Sequence, residues 1–217
     1  MACPAGIGGG LRALGRLDPS DSGRVEYAGV WGSRVEYSSR GGKKLSTERR
    51  TLHKGKVVDL GIEPVILPDG RKMELEVIRH PGGAAAVALD SAGRVCLLRQ
   101  FRHAAGGWLW EIPAGKLDPG EEPLATARRE LVEEAGVSAD SWATLGSVFS
   151  TPGFCDEVLH LFLAQGLTSV PQALGEHELI EVHWVSLEDA VRQALSGELR
   201  DAKTVIALLR AREVVSL

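Results

Sequence analysis

The stretch Gly115 to Val137, GKLDPGEEPLATARRELVEEAGV, constrains the fold more than any other part of the 217-residue chain. Pro123 stands where a first helical turn tolerates a missing N–H, Glu121 and Glu122 lie at the positive end of the helix dipole, and Gly136 follows as a left-handed stop. The spacing predicts a helix of about thirteen residues. At about 100° per residue, Leu124, Ala127, Leu131 and Ala135 share one face, while Glu130, Glu133 and Glu134 fall within about 100° of one another on a neighbouring face. The leucine face belongs in a core. Three carboxylates so close repel each other, and an isolated helix carrying them is destabilised unless a cation occupies the gap. Hard oxygen ligands and negative charge select Mg²⁺ or Mn²⁺. A solvated acidic face is the commoner meaning of a glutamate cluster, but here Arg129, both glycines and the aliphatic positions stand in register with it.

The flanks read as strands and helices around that helix. Val57 to Leu67 and Met73 to Ile78 are β-rich runs joined by Leu67-Pro68-Asp69-Gly70, which predicts a hairpin. Ala84 to Leu89 and Val95 to Phe101, linked by Asp90-Ser91-Ala92-Gly93, predict a second one. Trp142 to Ser150, Val158 to Ala164 and Glu181 to Val185 read as strands, and Leu187 to Leu195 and Asp201 to Glu213 carry helical periodicity. Strands interspersed with a few helices predict an α/β (α+β) domain, a mixed sheet with helices on its faces. Residues 1 to about 47 show no such period, and ten of the first 42 are glycine, so they read as a flexible tail cleavable without loss of activity. Within the tail Arg24-Val25-Glu26-Tyr27 is echoed at Arg34-Val35-Glu36-Tyr37, too little for a repeat architecture.

Composition narrows the class of function. With 25 basic and 29 acidic side chains, net charge -4, the chain lacks the basic surface of a general nucleic-acid binder. Any anionic substrate must be met locally, by a few arginines and by metal. Cys3, Cys96 and Cys155 are odd in number and form no CxxC pair, which suggests neither a disulfide framework nor a zinc site and fits a reducing cytoplasm. Cys96 reads as inert core and Cys155 as a loop residue. No apolar run reaches the ~20 residues of a membrane span, so a soluble protein is expected. The histidines form no metal pattern, and His160 and His183 read as strand residues.

Gly115, Glu121, Arg129, Glu130, Leu131, Glu133, Glu134, Gly136 and Val137 match every specified position of the Nudix box, and the chain resembles that hydrolase family. A chance match is on the order of one in a million. The resemblance implies a Nudix fold, with Glu130 and Glu134 as direct metal ligands and Glu133 as a further ligand or bridge. Arg129 would orient the glutamates, Glu121 would be an outer ligand or structural acceptor, and the carbonyl of Ala114 in Trp110-Glu111-Ile112-Pro113-Ala114-Gly115 would complete the metal site.

Three flanking features resemble the ADP-ribose pyrophosphatase branch, and with the box they span roughly residues 55 to 210. Pro152 lies sixteen positions beyond Gly136 in Thr151-Pro152-Gly153-Phe154-Cys155-Asp156-Glu157, Gln100-Phe101-Arg102 precedes the box, and Asp201-Ala202-Lys203-Thr204 opens the last helix. The implied reaction converts ADP-ribose and water to AMP and ribose 5-phosphate. GDP-mannose or another nucleotide sugar is the alternative substrate, and a non-catalytic nucleotide-sugar sensor the alternative of another class. Arg102 can pair with a diphosphate in fork geometry; Phe154 or Phe101 either stacks on a base or belongs to the core. The branch carries its general base on a later loop, here Leu174-Gly175-Glu176-His177-Glu178, which makes Glu176 the first candidate, Glu178 the second and Glu157 a third. His177 departs from the acidic or amide residue usual there. The branch further implies a homodimer joined through a β-rich segment, residues 48–80, ahead of a hydrolase domain over 81–217.

Overall fold

The computed structural model describes residues 49–175 and 178–215; the tail expected over residues 1 to about 47 lies outside them. Two sheets form one layer. Strands β4 (Gly83–Ala88), β7 (Ala114–Lys116), β8 (Val137–Phe149) and β9 (Val158–Ser169) make a mixed sheet in the order β7-β4-β9-β8, with β4 parallel to β9. Strands β5 (Arg94–Arg102), β6 (Gly107–Glu111) and β10 (Ile180–Ser186) form an antiparallel sheet ordered β10-β5-β6. Helix α1 (Pro123–Ala135) covers one side of the layer, and α2 (Leu187–Ser196) and α3 (Ala202–Val215) cover the other.

The period-2 geometry of strands produces this sandwich. Ala85 and Val87 of β4 point into a core with Leu97, Leu161 and Leu163 that α2 and α3 close through Val191 and Leu208. Their neighbours Ala84, Ala86 and Ala88 point the opposite way, to Leu98, Phe162 and the Ala127–Leu131 stripe of α1. A central strand buried on both faces reads as a continuous apolar run, which is what Gly83–Ala88 is. Its small alanines let α1 settle close to the sheet.

The predicted hairpin between Ala84–Leu89 and Val95–Phe101 does not extend beyond its turn. Asp90 Oδ1 accepts from Ala92 N and Arg94 N, so the turn forms, but strand pairing stops at the single bridge Leu89↔Val95. β4 then bonds to β7 and β9, and β5 to β6 and β10. Two strands buried on both faces each have richer neighbours than one another. The structure also lengthens the strands expected from Trp142 and Val158, to Val137–Phe149 and Val158–Ser169.

A second, separate sheet precedes the sandwich: β1 (Arg50–Lys54), β2 (Asp59–Ile66) and β3 (Lys72–Arg79), in the order β1-β2-β3. The β2–β3 hairpin is the predicted one, in register from Asp59↔Arg79 to Ile66↔Lys72. β1 was not foreseen, since its Arg-Thr-Leu-His-Lys sequence carries no apolar alternation and all five residues are exposed. It is held by pairing with β2 and by Arg49, which bonds Asp59 and Glu63. Neither core cluster contains a residue of this sheet. Its link to the sandwich is the 151–157 loop: Ile78 bridges Cys155, Ile78 N donates to Phe154 O at 2.7 Å, and Arg79 pairs with Asp156 at 2.9 Å.

Candidate active site

Helix α1 begins with Pro123 in its first turn and ends at Gly136, whose φ of 65° is left-handed, so the thirteen residues expected are the thirteen found. Its Leu131 face is buried against β4, which turns Glu130, Glu133 and Glu134 toward β7 and the start of the loop at 170–179. Glu134 is buried, and its Oε2 accepts from Ala114 N at 2.8 Å. Glu130 lies over Gly115 so closely that a β-carbon there would come within 1.8 Å of Glu130 Oε1. The box glycine is thus a cradle for a carboxylate rather than a turn.

Arg129 gathers the acidic groups. Its Nη1 donates to Glu130 Oε1 at 2.7 Å and to Glu133 Oε2 at 3.1 Å, while Nε and Nη2 hold Glu121 at 3.1 and 2.9 Å. The Arg129 bond draws Glu121 down to about 2. Burial has the opposite effect deeper in the site. It pushes Glu134 up to about 8, against the Ala114 bond and with help from the charges of Glu130 and Glu178, and it raises Glu130 despite Arg129. Buried carboxylates that resist ionisation lack positive charge, and one arginine does not supply enough.

That donor set fits a hard divalent cation: carboxylate oxygens, a glycine cradle that leaves room beside the backbone, and unfavourable like charge that a cation would relieve. Among the described residues no three such side chains already converge on one point, because Arg129 draws two of them to itself. Glu178 stands near this cluster, its charge felt at both Glu130 and Glu134, and its Oε2 accepts from Gly175 N at 2.8 Å. Glu176 lies outside the described residues.

Of the remaining candidates, only Arg102 is near enough to the carboxylates for its charge to act on Glu134. Phe154 is 54% exposed and Phe101 46% exposed, so neither is a core residue. Phe101 meets Trp108 edge-on at 5.9 Å. Glu157 lies 3.3 Å from His80 Nδ1, on the loop tied to β3. Arg102 is not free in solvent: Nε and Nη2 bond both oxygens of Glu111 at 2.7 and 3.0 Å. Glu111 itself is 2% exposed and also accepts from Lys203 Nζ at 2.5 Å. Sequence reasoning passed over Glu111 and Lys203 as site residues, although a lone acid in the apolar run Trp108–Ile112 has to find a cationic partner. Cys96 is buried, and its thiol is pushed up to about 12 by burial and by Glu134, which makes it inert. His160 and His183 lie in β9 and β10.

Comparison with known proteins gives the family and the fold. Residues 79–208 match the NUDIX domain model. The chain is 42% identical over 170 residues to the ADP-ribose pyrophosphatase of Bacillus subtilis (strain 168), covering 75% of this chain and 92% of that protein. It is 38% identical to the ADP-ribose pyrophosphatase of Mycobacterium tuberculosis, over 76% of this chain and 82% of that one. A GDP-mannose pyrophosphatase of Escherichia coli stands further off at 33%, over 75% and 94%. Among solved structures, one titled "Crystal structure of ADP compounds hydrolase" superposes with a TM-score of 0.67 at 20% identity, covering 78% of this chain and 92% of that one, and shows the same fold. Nudix hydrolases generally use divalent metal ions. No helix among the described residues is long and apolar enough to cross a membrane. With the box complete, its glutamates folded into one cluster and its relatives matched over most of their length, the chain belongs to the Nudix hydrolase family.

Proposed function

We propose that this protein hydrolyses the diphosphate of ADP-ribose to AMP and ribose 5-phosphate, with Mg²⁺ as the favoured ion and Mn²⁺ able to replace it. The observation that carries the reading is the carboxylate cluster of α1 set beside Arg102, together with the 42% identity to an ADP-ribose pyrophosphatase. The closer match to that protein than to the GDP-mannose enzyme, at 33%, favours ADP-ribose over GDP-mannose.

Glu130, Glu133 and Glu134, with the Ala114 carbonyl, would hold the metal, which when bound neutralises diphosphate charge and acidifies a water. Arg129 orients Glu130 and Glu133 and balances their charge. Arg102 receives the diphosphate with the edge of its guanidinium that Glu111 does not use. Glu178 or Glu176 takes the proton from the attacking water; Glu178 has the support of its nearness to Glu130 and Glu134. Phe154, exposed at the loop tip, stacks on the base, and Glu157 borders the same pocket. We further propose a cytoplasmic homodimer. Leu60, Ile62, Leu75, Val77 and Ile78 are only half-buried on a sheet that joins neither core, and a second subunit is the surface that would cover them.

The test is a screen of nucleotide sugars with Mg²⁺ in which added phosphatase releases phosphate only from cleaved products. ADP-ribose should give the highest kcat/KM, with AMP and ribose 5-phosphate as products. Faster turnover of GDP-mannose, or no turnover of any nucleotide sugar, overturns the assignment.

A further inference from the structure

The ends of two neighbouring strands and the start of a helix 92 positions further on meet in one ion-pair network beneath the proposed diphosphate site. Arg102 ends β5, Glu111 ends β6, and Asp201 and Lys203 stand at the start of α3. Glu111 accepts from Arg102 Nε, Arg102 Nη2 and Lys203 Nζ. Lys203 Nζ also pairs with Asp201 Oδ2 at 3.0 Å, and Asp201 Oδ2 caps α3 by accepting from Thr204 N at 3.0 Å. Thr204 Oγ1 in turn donates to Asp201 and accepts from Ile112 N at 2.9 Å. Two residues beyond Ile112, Ala114 N holds Glu134. The network thus runs from the helix start through the end of β6 to both the arginine and the carboxylate cluster.

Its burial is graded. The side chains of Glu111 and Lys203 are 3% and 13% exposed, whereas that of Arg102 is 42% exposed. A guanidinium has five N–H donors, and Glu111 occupies two of them, on the Nε side. The other three have no protein partner among the described residues. They are the two N–H of Nη1 and the second N–H of Nη2, and the Nη1–Nη2 edge has the geometry a phosphate oxygen pair requires. Burial works to raise Glu111, but Arg102 and Lys203 outweigh it and hold the carboxyl below its usual range. A pair that served only to join two strands would need no second cation on the same carboxylate. Lys203, its side chain 13% exposed, gives Glu111 a second cationic partner, so Arg102 can share itself with an anion without orphaning a buried charge.

We infer that Glu111 is a positioning residue: fixed by Lys203, it aims the open edge of Arg102 at the substrate diphosphate and thereby sets the affinity for substrate. This rests on the reading of Arg102 as the diphosphate ligand. The Asp201-Ala202-Lys203-Thr204 segment acquires a role through it, as the anchor of that anchor.

The experiment is steady-state hydrolysis of ADP-ribose by the full chain for Arg102→Ala, Glu111→Gln, Lys203→Gln and the doubles Arg102→Ala/Glu111→Gln and Arg102→Ala/Lys203→Gln, with Tm recorded for each. Arg102→Ala should raise KM by about tenfold or more, and Glu111→Gln by about fivefold with kcat changed less than about threefold. The Arg102→Ala/Glu111→Gln protein should match Arg102→Ala in KM, since an anchor with nothing to aim has no further effect. If Glu111→Gln leaves KM unchanged, or raises it by the same factor when residue 102 is alanine, the inference fails while the Arg102 reading stands. If Arg102→Ala leaves KM unchanged, both fail. Should Glu111→Gln not fold, Lys203→Gln decides: a KM increase that vanishes in the Arg102→Ala background supports the anchor, and one that persists there, or no increase at all, overturns it.

Discussion

Glu130 occupies the space that a side chain on residue 115 would take: a β-carbon on Gly115 would lie 1.8 Å from one carboxylate oxygen and 2.1 Å from its carbon. The strand β7 and the helix α1 can therefore approach only while residue 115 is glycine, and the carboxylate reaches its place only because they approach.

Gly115→Ala should consequently lower kcat/KM by about a hundredfold or more and raise the Mg²⁺ concentration needed for half-maximal rate, because Glu130 must swing away from the cluster. Kinetics with a Mg²⁺ titration checks this. Near-normal activity would place Glu130 outside the metal site.

Glu134→Gln should reduce kcat by two to three orders of magnitude, roughly, while circular dichroism stays that of the parent. Glutamine keeps the shape and the acceptor for Ala114 N, so a loss of rate reports the missing charge. Turnover close to normal would sink the ligand assignment.

Burial raises Glu134 to about 8, above the 4.5 usual for glutamate. A group raised on folding contributes stability that is present below its unfolded value and lost as pH rises through its folded one. In EDTA, the Tm of the parent relative to that of Glu134→Gln should fall between about pH 4.5 and pH 8. Glu121 and Glu111 are lowered on folding, so their contributions are lost instead as pH falls below the usual carboxylate range, and the difference against Glu134→Gln cancels them. Saturating Mg²⁺ should flatten the slope, since metal competes with the proton for this carboxylate. A pH-independent difference in EDTA would show that Glu134 is ionised without penalty.

Sedimentation at micromolar concentration should give about twice the 23.2 kDa chain mass. Replacing Leu75 and Val77, which share one face of the sheet, by aspartate should yield a monomer of lowered activity. A fully active monomeric parent would overturn both the assembly and a pocket shared across it, and leave the hydrolase chemistry untouched.

Asp156→Ala should raise KM by about three- to tenfold with little change in kcat. It cuts the pairs from Asp156 to Arg79 and His80 N that tie the loop bearing Phe154 and Glu157 to β3. An unchanged KM would show that the loop is held without the arm.

The helix and its cluster were legible because their information is local. Pro123, Gly136 and the 3.6-residue period bound α1, and the same period places the glutamates on one face and the leucines on another. The β2–β3 hairpin was legible through its Pro-Asp-Gly turn. β1 was not, since exposed residues held by a neighbouring strand and by Arg49 ion pairs carry no apolar signal. The pairing of β4 and β5 was misread for the converse reason: a run apolar on both faces says that it is central, not which strand it bonds.

By itself the sequence determined the family and the shared face of Glu130, Glu133 and Glu134, because a carboxylate set at i, i+3 and i+4 is a property of one helix. Only the tertiary structure decided how that helix is served: that Gly115 makes room for Glu130, that Ala114 N holds Glu134, and that Arg102, Glu111 and Lys203 meet across two strands and a helix start. Those contacts join residues up to 92 positions apart. No local period encodes them, because each depends on burial that exists only once the sheets and helices have packed.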